Sequence, residues 1–356
     1  MSNKKITYLL GAGASYQACP ILSELGDKMI EMSKSKLGNT YKLDFDIKRD
    51  FTRNNSQDIL QLIGYFGRKS IEYGTIDTYA KKLSLSPNYS LELKSLKMAV
   101  SMFFTIWEAT NDPIKNRLAN KENIPYKNID LRYISLLATF LELSKIYIPI
   151  LNENIKFVTW NYDLQVEKAY KSFLHEHLNG NMLEVDDFFR FQNKNIENGS
   201  ELNIVHLNGY SGFIYSQNSS DKKQEVCFYD FSDSTDFEEI IKSFNNVYNH
   251  LNLGLAQLND HINYAWEQTE LANKKRKYAK KIFSESDAIV VIGYSFPPFN
   301  RQVDKMMFDA LKGRKTKVYY QDPNASESVI KNFVDNDCDV IVYKDKMEHF
   351  VVPDEF

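Results

Sequence analysis

Three short polar segments, far apart in the chain, carry residue types that could bind a phosphorylated ligand and act on it. Each directly follows an apolar run typical of a β-strand: Gly11–Ser15, Thr159–Asp163 and Gly293–Ser295. Loops that leave the carboxyl ends of parallel strands meet at one crevice, where ligands bind. Glycines let a backbone approach phosphates, and an Asn/Asp segment beside them could do chemistry. The pattern therefore predicts a nucleotide site.

The first segment contains half of a dinucleotide-binding fingerprint. Gly11 and Gly13 allow a tight turn whose N–H groups, with the following helix N-terminus, can hold a pyrophosphate. Tyr16 stands where the third glycine is expected, and no strand ending in Asp or Glu follows about 20 residues later. This argues against a hydride-transferring dehydrogenase. A phosphate site and a structural strand-to-helix turn both remain open.

The second segment places Asn161 and Asp163 two residues apart, between a strand and a helix. Such residues can serve as N-cap and turn residues, which is one explanation of them. An amide and a carboxylate at this spacing can also address a carboxamide ligand and a water together. We expect the second role, because the strand belongs to the candidate edge.

A fourth segment, His206–Gly209, adds an imidazole after Asn203–Val205. One interpretation is a buried histidine that donates to a backbone carbonyl. The position of His206 on the ligand edge favours a general base, because imidazole titrates near neutrality. Asp322 and Asn324 follow a further apolar strand and could contact a ribose or an adenine, or form an ordinary turn before a helix.

The elements that must position these residues are strands separated by helical segments, which implies parallel pairing with right-handed crossovers. We predict an α/β fold with a Rossmann-type parallel sheet and one domain over residues 1–356. A helical insertion spans Lys34–Asn154, and a further helical segment spans Thr235–Ser284. The predicted strands are Ile6–Leu10, Ile155–Thr159, Asn203–Leu207, Ala288–Gly293, Lys317–Tyr320 and Val340–Tyr343.

Composition narrows the class of protein. The chain has 356 residues and a net charge of −3, which gives no argument for binding nucleic acid or an anionic membrane. Apolar runs are far shorter than the roughly 20 residues of a membrane helix, and we expect a cytoplasmic protein. The three cysteines have no CxxC spacing, and His175 and His177 would point to different helix faces. We therefore predict no metal site.

With these residues assembled, the chain resembles the sirtuin superfamily, in particular the sirtuin-like NAD-hydrolysing domains of bacterial anti-phage defence proteins. The segments described above occur in family order over nearly the whole chain. The resemblance implies that NAD⁺ is the substrate rather than a true cofactor, with Asn161, Asp163 and His206 as catalytic residues. It implies NAD⁺-binding roles for Gly11, Ala12, Gly13, Ser15, Thr159, Gly293, Ser295, Asp322 and Asn324.

Two departures from the family bear on the substrate. Protein-deacylating sirtuins carry four zinc-binding cysteines, which a chain with three cysteines cannot supply. Pro20–Leu25 stands where they have an Asp-Phe-Arg segment. We therefore expect cleavage of the nicotinamide–ribose bond with water as acceptor. A deacylase or ADP-ribosyltransferase, and a non-catalytic NAD or ADP-ribose sensor, are the alternatives. We also expect a homo-oligomer or a co-encoded defence partner, such as an ATPase or a nucleotide-processing protein.

Overall fold

The computed structural model describes residues 4–37, 43–44, 58–109, 129–174, 185–217, 223–226, 237–252 and 256–356. His175, His177 and Cys227, which bear on the prediction of no metal site, lie outside these residues. The described residues form two compact units. The first draws on Met1–Gln17, Ile129–Gly209 and Asn263–Phe356, and the second on Ala18–Asn128 and Tyr210–Ile262.

The strands, in chain order, are β1 Ile6–Leu10, β2 Leu141–Leu143, β3 Pro149–Leu151, β4 Ile155–Thr159, β5 Ile204–His206, β6 Phe213–Gln217, β7 Lys223–Val226, β8 Ala256–Asp260, β9 Ala288–Ile292, β10 Lys317–Gln321 and β11 Asp339–Tyr343. The α-helices are α1 Leu25–Leu37, α2 Asp58–Glu72, α3 Ile76–Ser84, α4 Ser90–Ala109, α5 Leu131–Phe140, α6 Gln165–Leu174, α7 Val185–Phe188, α8 Asn193–Glu197, α9 Phe237–Asn252, α10 Glu270–Glu285, α11 Arg301–Phe308 and α12 Glu327–Ile330.

The first unit is built on a six-stranded parallel sheet with the order β11-β10-β9-β1-β4-β5. Every residue of β1 and β9 is buried. Their sequences are nearly continuous apolar runs, as expected for strands covered on both faces. Numbered by occurrence within this sheet, the strands follow the order 3-2-1-4-5-6 of a Rossmann fold. The predicted α/β class with a Rossmann-type parallel sheet is thus confirmed.

The second unit combines α1, α2, α3, α4 and α9 with a three-stranded antiparallel sheet of order β7-β6-β8. Its helices match the predicted apolar periodicity closely. Apolar residues at three- and four-residue spacing within the predicted insertion indicate helices at 56–73, 76–83 and 91–110. The structure has helices at Asp58–Glu72, Ile76–Ser84 and Ser90–Ala109. No helix among the described residues has both the length and the apolar character that a membrane span requires.

The sequence pattern missed five short strands. β7 has one apolar residue in four, the apolar residues of β6 are consecutive rather than alternating, and β8 lies within the segment predicted as helical at Thr235–Ser284. β2 begins directly after α5, and its leucines continue the helical periodicity. α5, β2 and β3 also belong to the sheet unit, although the predicted helical insertion at 34–154 includes them.

Candidate functional site

Four strand ends of the parallel sheet stand side by side at the same level. Leu10, the last residue of β1, pairs with Thr159 of β4 on one side and with Ile292 of β9 on the other. Thr159 in turn pairs with His206 at the end of β5. The chain order reverses between β1 and β9, which is where such sheets bind ligands. The predicted segments therefore leave the sheet at one edge, around its switch point.

The glycine turn after β1 packs backbone to backbone against the loop after β9. Residues Ala12–Ser15 form a short 3-10 helix, and the Gly13 N–H donates to the Gly293 carbonyl at 2.9 Å. A Cβ on Gly11 would lie 2.6 Å from the Tyr294 Cα, and one on Gly13 would lie 2.9 Å from the Gly293 Cα. Glycine is required here because two loops approach more closely than any side chain allows.

Several amides of this turn are already occupied within the protein. The Gly11 N–H donates to the Ile292 carbonyl, the Gly13 N–H to Gly293, and the Ala14 N–H to the Gly11 carbonyl, each at 2.9 Å. These contacts account for the turn as a structural element. A phosphate at this loop would have to be bound by its other donors.

Ser15 links the glycine turn to the Asn/Asp segment. Its hydroxyl donates to the Asp163 Oδ1 at 3.0 Å and accepts from the Asn161 Nδ2 at 3.3 Å. The same Nδ2 donates to the Gly11 carbonyl at 3.0 Å. Because the Ser15 proton is directed to Asp163, the Tyr133 hydroxyl, 3.2 Å from Ser15 Oγ, is the donor in that pair. The four side chains form one buried network.

The Asn/Asp segment also shapes its own turn. The Thr159 Oγ1 accepts from the Asn161 N–H at 3.0 Å, and the Asp163 Oδ1 accepts from the Gln165 N–H at 3.2 Å at the start of α6. Burial raises the pKa of Asp163 to about 6, against opposing effects of the Gln165 and Ser15 hydrogen bonds. The turn and cap roles considered from the sequence are therefore present, together with a carboxyl group whose pKa is perturbed.

His206 forms a buried pair with a glutamate that the sequence analysis did not single out. The His206 Nε2 lies 2.7 Å from the Glu167 Oε1, and its Nδ1 lies 3.4 Å from the Asn161 carbonyl oxygen. His206 is 2% exposed and Glu167 is 0% exposed. The second Glu167 oxygen, Oε2, has no hydrogen-bond partner among the described residues. An acid on the apolar face of α6, next to Val166, was the signal that could have identified it.

A second pair outside the predicted set supports the glycine turn. Asp130 caps α5 by accepting from the Arg132 N–H at 3.1 Å, and the Arg132 Nε donates to the same carboxylate at 2.8 Å. The guanidinium also donates to the Ala14 carbonyl at 3.0 Å. The guanidinium lies 4.6 Å from the ring centres of both Tyr16 and Phe350. The sequence pattern indicated only helical structure in this segment and did not single out Asp130 or Arg132.

The remaining predicted residues lie at the same edge but outside the Ser15 network. Ser295 is exposed, and Gly293 has a φ of +59°, which favours glycine. Asp322 is half-buried, and its Oδ1 accepts from the Asn324 N–H at 2.7 Å. This hydrogen bond forms an ordinary turn, which is one of the two interpretations that the sequence allowed. Contact of these residues with an adenosine moiety stays a prediction.

Comparison with known proteins gives a distant structural likeness only. No family model matches the sequence, and no curated protein matches it. One similar solved structure is a Sir2 homologue with a serine-to-alanine substitution in complex with ADP-ribose, with 12% identity, a TM-score of 0.37, and coverage of 94% of this chain and 85% of that chain.

Another is a Sir2 histidine-to-alanine variant with a deacetylated p53 peptide and 3′-O-acetyl ADP-ribose, with 11% identity, a TM-score of 0.37, and coverage of 96% of this chain and 88% of that chain. A third, described as a structural basis for the mechanism and regulation of Sir2 enzymes, has 11% identity, a TM-score of 0.36, and the same coverage. At these values the chain is not assigned to a family, and its fold class rests on its own strand order.

Proposed function

We propose that this protein is an NAD⁺ glycohydrolase, which cleaves the bond between nicotinamide and ribose with water as acceptor. The observation that carries the proposal is the Ser15 network. It joins a glycine turn after β1 to Asn161 and Asp163 after β4, beside the switch point of a Rossmann sheet. A dinucleotide there would place its phosphates near the turn and its reacting ribose near the Asn/Asp segment.

The reaction is a glycosyl transfer to water. Water attacks C1′ of the ribose, and the C1′–N1 bond breaks with its electron pair moving to the pyridinium ring. The water loses a proton, and the products are ADP-ribose, nicotinamide and that proton. The transition state resembles an oxocarbenium ion, as in other glycosyl transfers. Because nicotinamide leaves as a neutral molecule, no strong general acid is required.

In this scheme His206 accepts the proton. When the neutral imidazole donates its Nε2–H to Glu167, Nδ1 is the basic nitrogen. Once Nδ1 is protonated, its N–H can donate a hydrogen bond to the Asn161 carbonyl oxygen, 3.4 Å away. Glu167 is thus a positioning residue that selects the tautomer and stabilises the imidazolium, as in other base–orienter pairs.

Asn161 and Asp163 act on the substrate side in the proposal. Asn161 positions the water or a ribose hydroxyl, and Asp163 orients the leaving carboxamide or the loop itself. The Ser15 contacts hold both residues, which supports a preorganised arrangement. Gly293, Ser295, Asp322 and Asn324 would lie along the adenosine half, and Gly11, Ala12, Gly13 and Thr159 near the pyrophosphate and ribose.

We further propose a biological setting. A free NAD⁺ hydrolase depletes a cofactor that its own cell needs, so its activity requires control by self-association or by a second protein. The resemblance in motifs suggests a cytoplasmic NAD-depleting effector in anti-phage defence, with a co-encoded partner. The helix-rich second unit offers the surface on which such control could act.

Nicotinamide release from NAD⁺ by the purified chain tests the activity. We expect release without any acylated peptide, and the same rate after treatment with a chelator, because the proposed chemistry uses no metal. Parallel size measurement shows whether turnover depends on assembly. Release only with an acylated peptide would assign the chain to the deacylases. NAD⁺ or ADP-ribose binding without release, alone and with the co-encoded protein, would make it a sensor.

A further inference from the structure

A buried aspartate outside the predicted site connects two of its loops. Asp304 lies on α11 and is 0% exposed. Its Oδ1 accepts from the Trp160 Nε1 at 3.1 Å, and its Oδ2 accepts from the Tyr294 hydroxyl at 2.8 Å. Trp160 directly precedes Asn161, and Tyr294 directly follows Gly293. One carboxylate therefore joins the loop after β4 to the loop after β9.

The two aromatic side chains are in ring contact. The Trp160 and Tyr294 ring centres are 6.2 Å apart with an interplanar angle of 15°. The Tyr320 hydroxyl of β10 donates to the Tyr294 carbonyl at 2.9 Å, and the Asn300 Nδ2 donates to the Tyr294 hydroxyl at 3.1 Å. Both loops thus contact other residues of the sheet unit through these side chains.

The hydrogen bonds are complete only when Asp304 is ionised. The carboxylate then accepts from both Trp160 and Tyr294, while the Tyr294 oxygen accepts from Asn300. A protonated Asp304 would donate to Tyr294, whose own hydroxyl proton would lose its acceptor, and a buried unpaired donor is costly. The position of Asp304 in the first turn of α11 also favours the negative charge.

Burial opposes this preference and raises the pKa of Asp304 to about 7, whereas the hydrogen bonds from Tyr294 and Trp160 lower it. The two hydrogen bonds offset this cost, and an apolar side chain could not accept from the Trp160 Nε1–H and the Tyr294 hydroxyl. These two partners are the residues next to Asn161 and Gly293, so the contacts of Asp304 bear on the placement of the two loops.

We infer that Asp304 is a positioning residue that holds the Asn161 loop and the Gly293 loop in one fixed arrangement, through the indole of Trp160 and the hydroxyl of Tyr294. The placement itself follows from the contacts. Its consequence for turnover rests on the proposed NAD⁺ hydrolysis, in which Asn161 acts at the reacting ribose and Gly293 lies along the adenosine half.

Amide hydrogen exchange of the full chain tests the placement without any substrate. The Trp160 N–H donates to the Leu10 carbonyl at 3.0 Å, and the Gly293 N–H donates to the Gln321 carbonyl at 2.9 Å. In Asp304→Asn, whose amide resembles the protonated acid, both amides should exchange about tenfold faster, while amides within β1 keep their protection. Asp309→Asn removes an exposed charge five residues further along the chain, directly after the end of α11, and should change neither.

Val303→Ala separates positioning from general destabilisation, because it trims a buried apolar side chain next to Asp304. It should not accelerate exchange of Trp160 and Gly293 selectively. Unchanged exchange in Asp304→Asn, acceleration in only one loop, or uniform acceleration as in Val303→Ala would each overturn the inference. If Asp304→Asn does not fold, Tyr294→Phe decides, because removing that hydroxyl should accelerate exchange of the Gly293 amide while the Trp160 amide keeps its protection.

Steady-state kinetics adds a second measurement, because a purely structural role would not separate effects on kcat from effects on KM. Trp160→Phe frees only the Asn161 side and should lower kcat about tenfold with KM for NAD⁺ unchanged. Tyr294→Phe frees only the Gly293 side and should raise KM severalfold. Equal effects of the two variants on both constants would contradict the positioning role. Absence of turnover in the parent protein, both alone and with the co-encoded protein, would refute the proposed function. Hydrogen exchange would still decide whether Asp304 holds the loops.

Discussion

The Ser15 hydroxyl donates to the Asp163 carboxylate at 3.0 Å, across 148 residues of sequence. This buried hydrogen bond joins the turn after β1 directly to the turn after β4. The Asn161 side chain completes it by donating to Ser15 and to the Gly11 carbonyl.

Asn161→Ala should reduce NAD⁺ hydrolysis on the order of 10²-fold or more, because it removes a group that acts mainly in the transition state. The lost contacts to Gly11 and Ser15 should cost about 1 kcal/mol of stability without unfolding the chain. Nicotinamide release and a thermal melt measure the two effects. Asn332→Ala, at an exposed position, is the control. An unchanged rate in a folded Asn161→Ala protein would contradict the assignment.

His206→Ala should lower the rate by roughly 10²–10⁴-fold while NAD⁺ binding persists. Glu167→Gln, which keeps the shape of the pair and removes its charge, should lower kcat by about tenfold with little change in KM. The double variant should be no slower than His206→Ala alone, because the two residues act as a unit. Kinetics and calorimetric NAD⁺ binding measure these effects. A large loss of thermal stability at full activity in Glu167→Gln would identify the pair as structural only.

Asp163→Asn should change how stability depends on pH. The folded pKa of Asp163, about 6, lies above the ordinary value of 3.8. The folded state therefore binds this proton more tightly than the unfolded state, and the resulting stability is lost as the pH rises through 6. Relative to the parent, Asp163→Asn should gain on the order of 2 kcal/mol between pH 4 and pH 7. Denaturant titrations across this pH range measure the free energy of unfolding of both proteins. A difference between them that stays constant with pH would refute the perturbed pKa of Asp163.

Gly293→Ala should be among the most destabilising substitutions in the sheet unit. Gly293 has a φ of +59°, and an added Cβ would lie 2.6 Å from the Gly13 Cα. We expect a loss of about 3 kcal/mol, since the strained backbone and the overpacking both contribute. Gly313→Ala is the matched control, because its φ is +73° but nothing lies within 4 Å of the added atom. That variant should lose about 1 kcal/mol. If chemical denaturation showed similar losses of stability in Gly293→Ala and Gly313→Ala, close packing of the two loops would not be the cause.

Much of the fold could be predicted from local sequence. Five of the six strands of the parallel sheet are short, mostly apolar runs that end at glycine, Asn/Asp or histidine segments. A strand buried on both faces, such as β1 or β9, leaves that apolar run directly in the sequence. The helices of the second unit carry their own periodicity. The strands β6, β7 and β8 could not be found this way, because β6 and β7 lack an apolar alternation and β8 is five residues within a segment predicted as helical.

The sequence by itself determined which residue types stand at the strand ends, and therefore that Gly11, Asn161, His206 and Gly293 share one edge of a parallel sheet. Only the tertiary structure decided which side chains meet there. Glu167 reaches His206 and Asp304 reaches Trp160 because helices α6 and α11 turn these acids into the core. Contacts between residues 39 and 144 positions apart depend on how helices pack on the sheet, and no local periodicity records that packing.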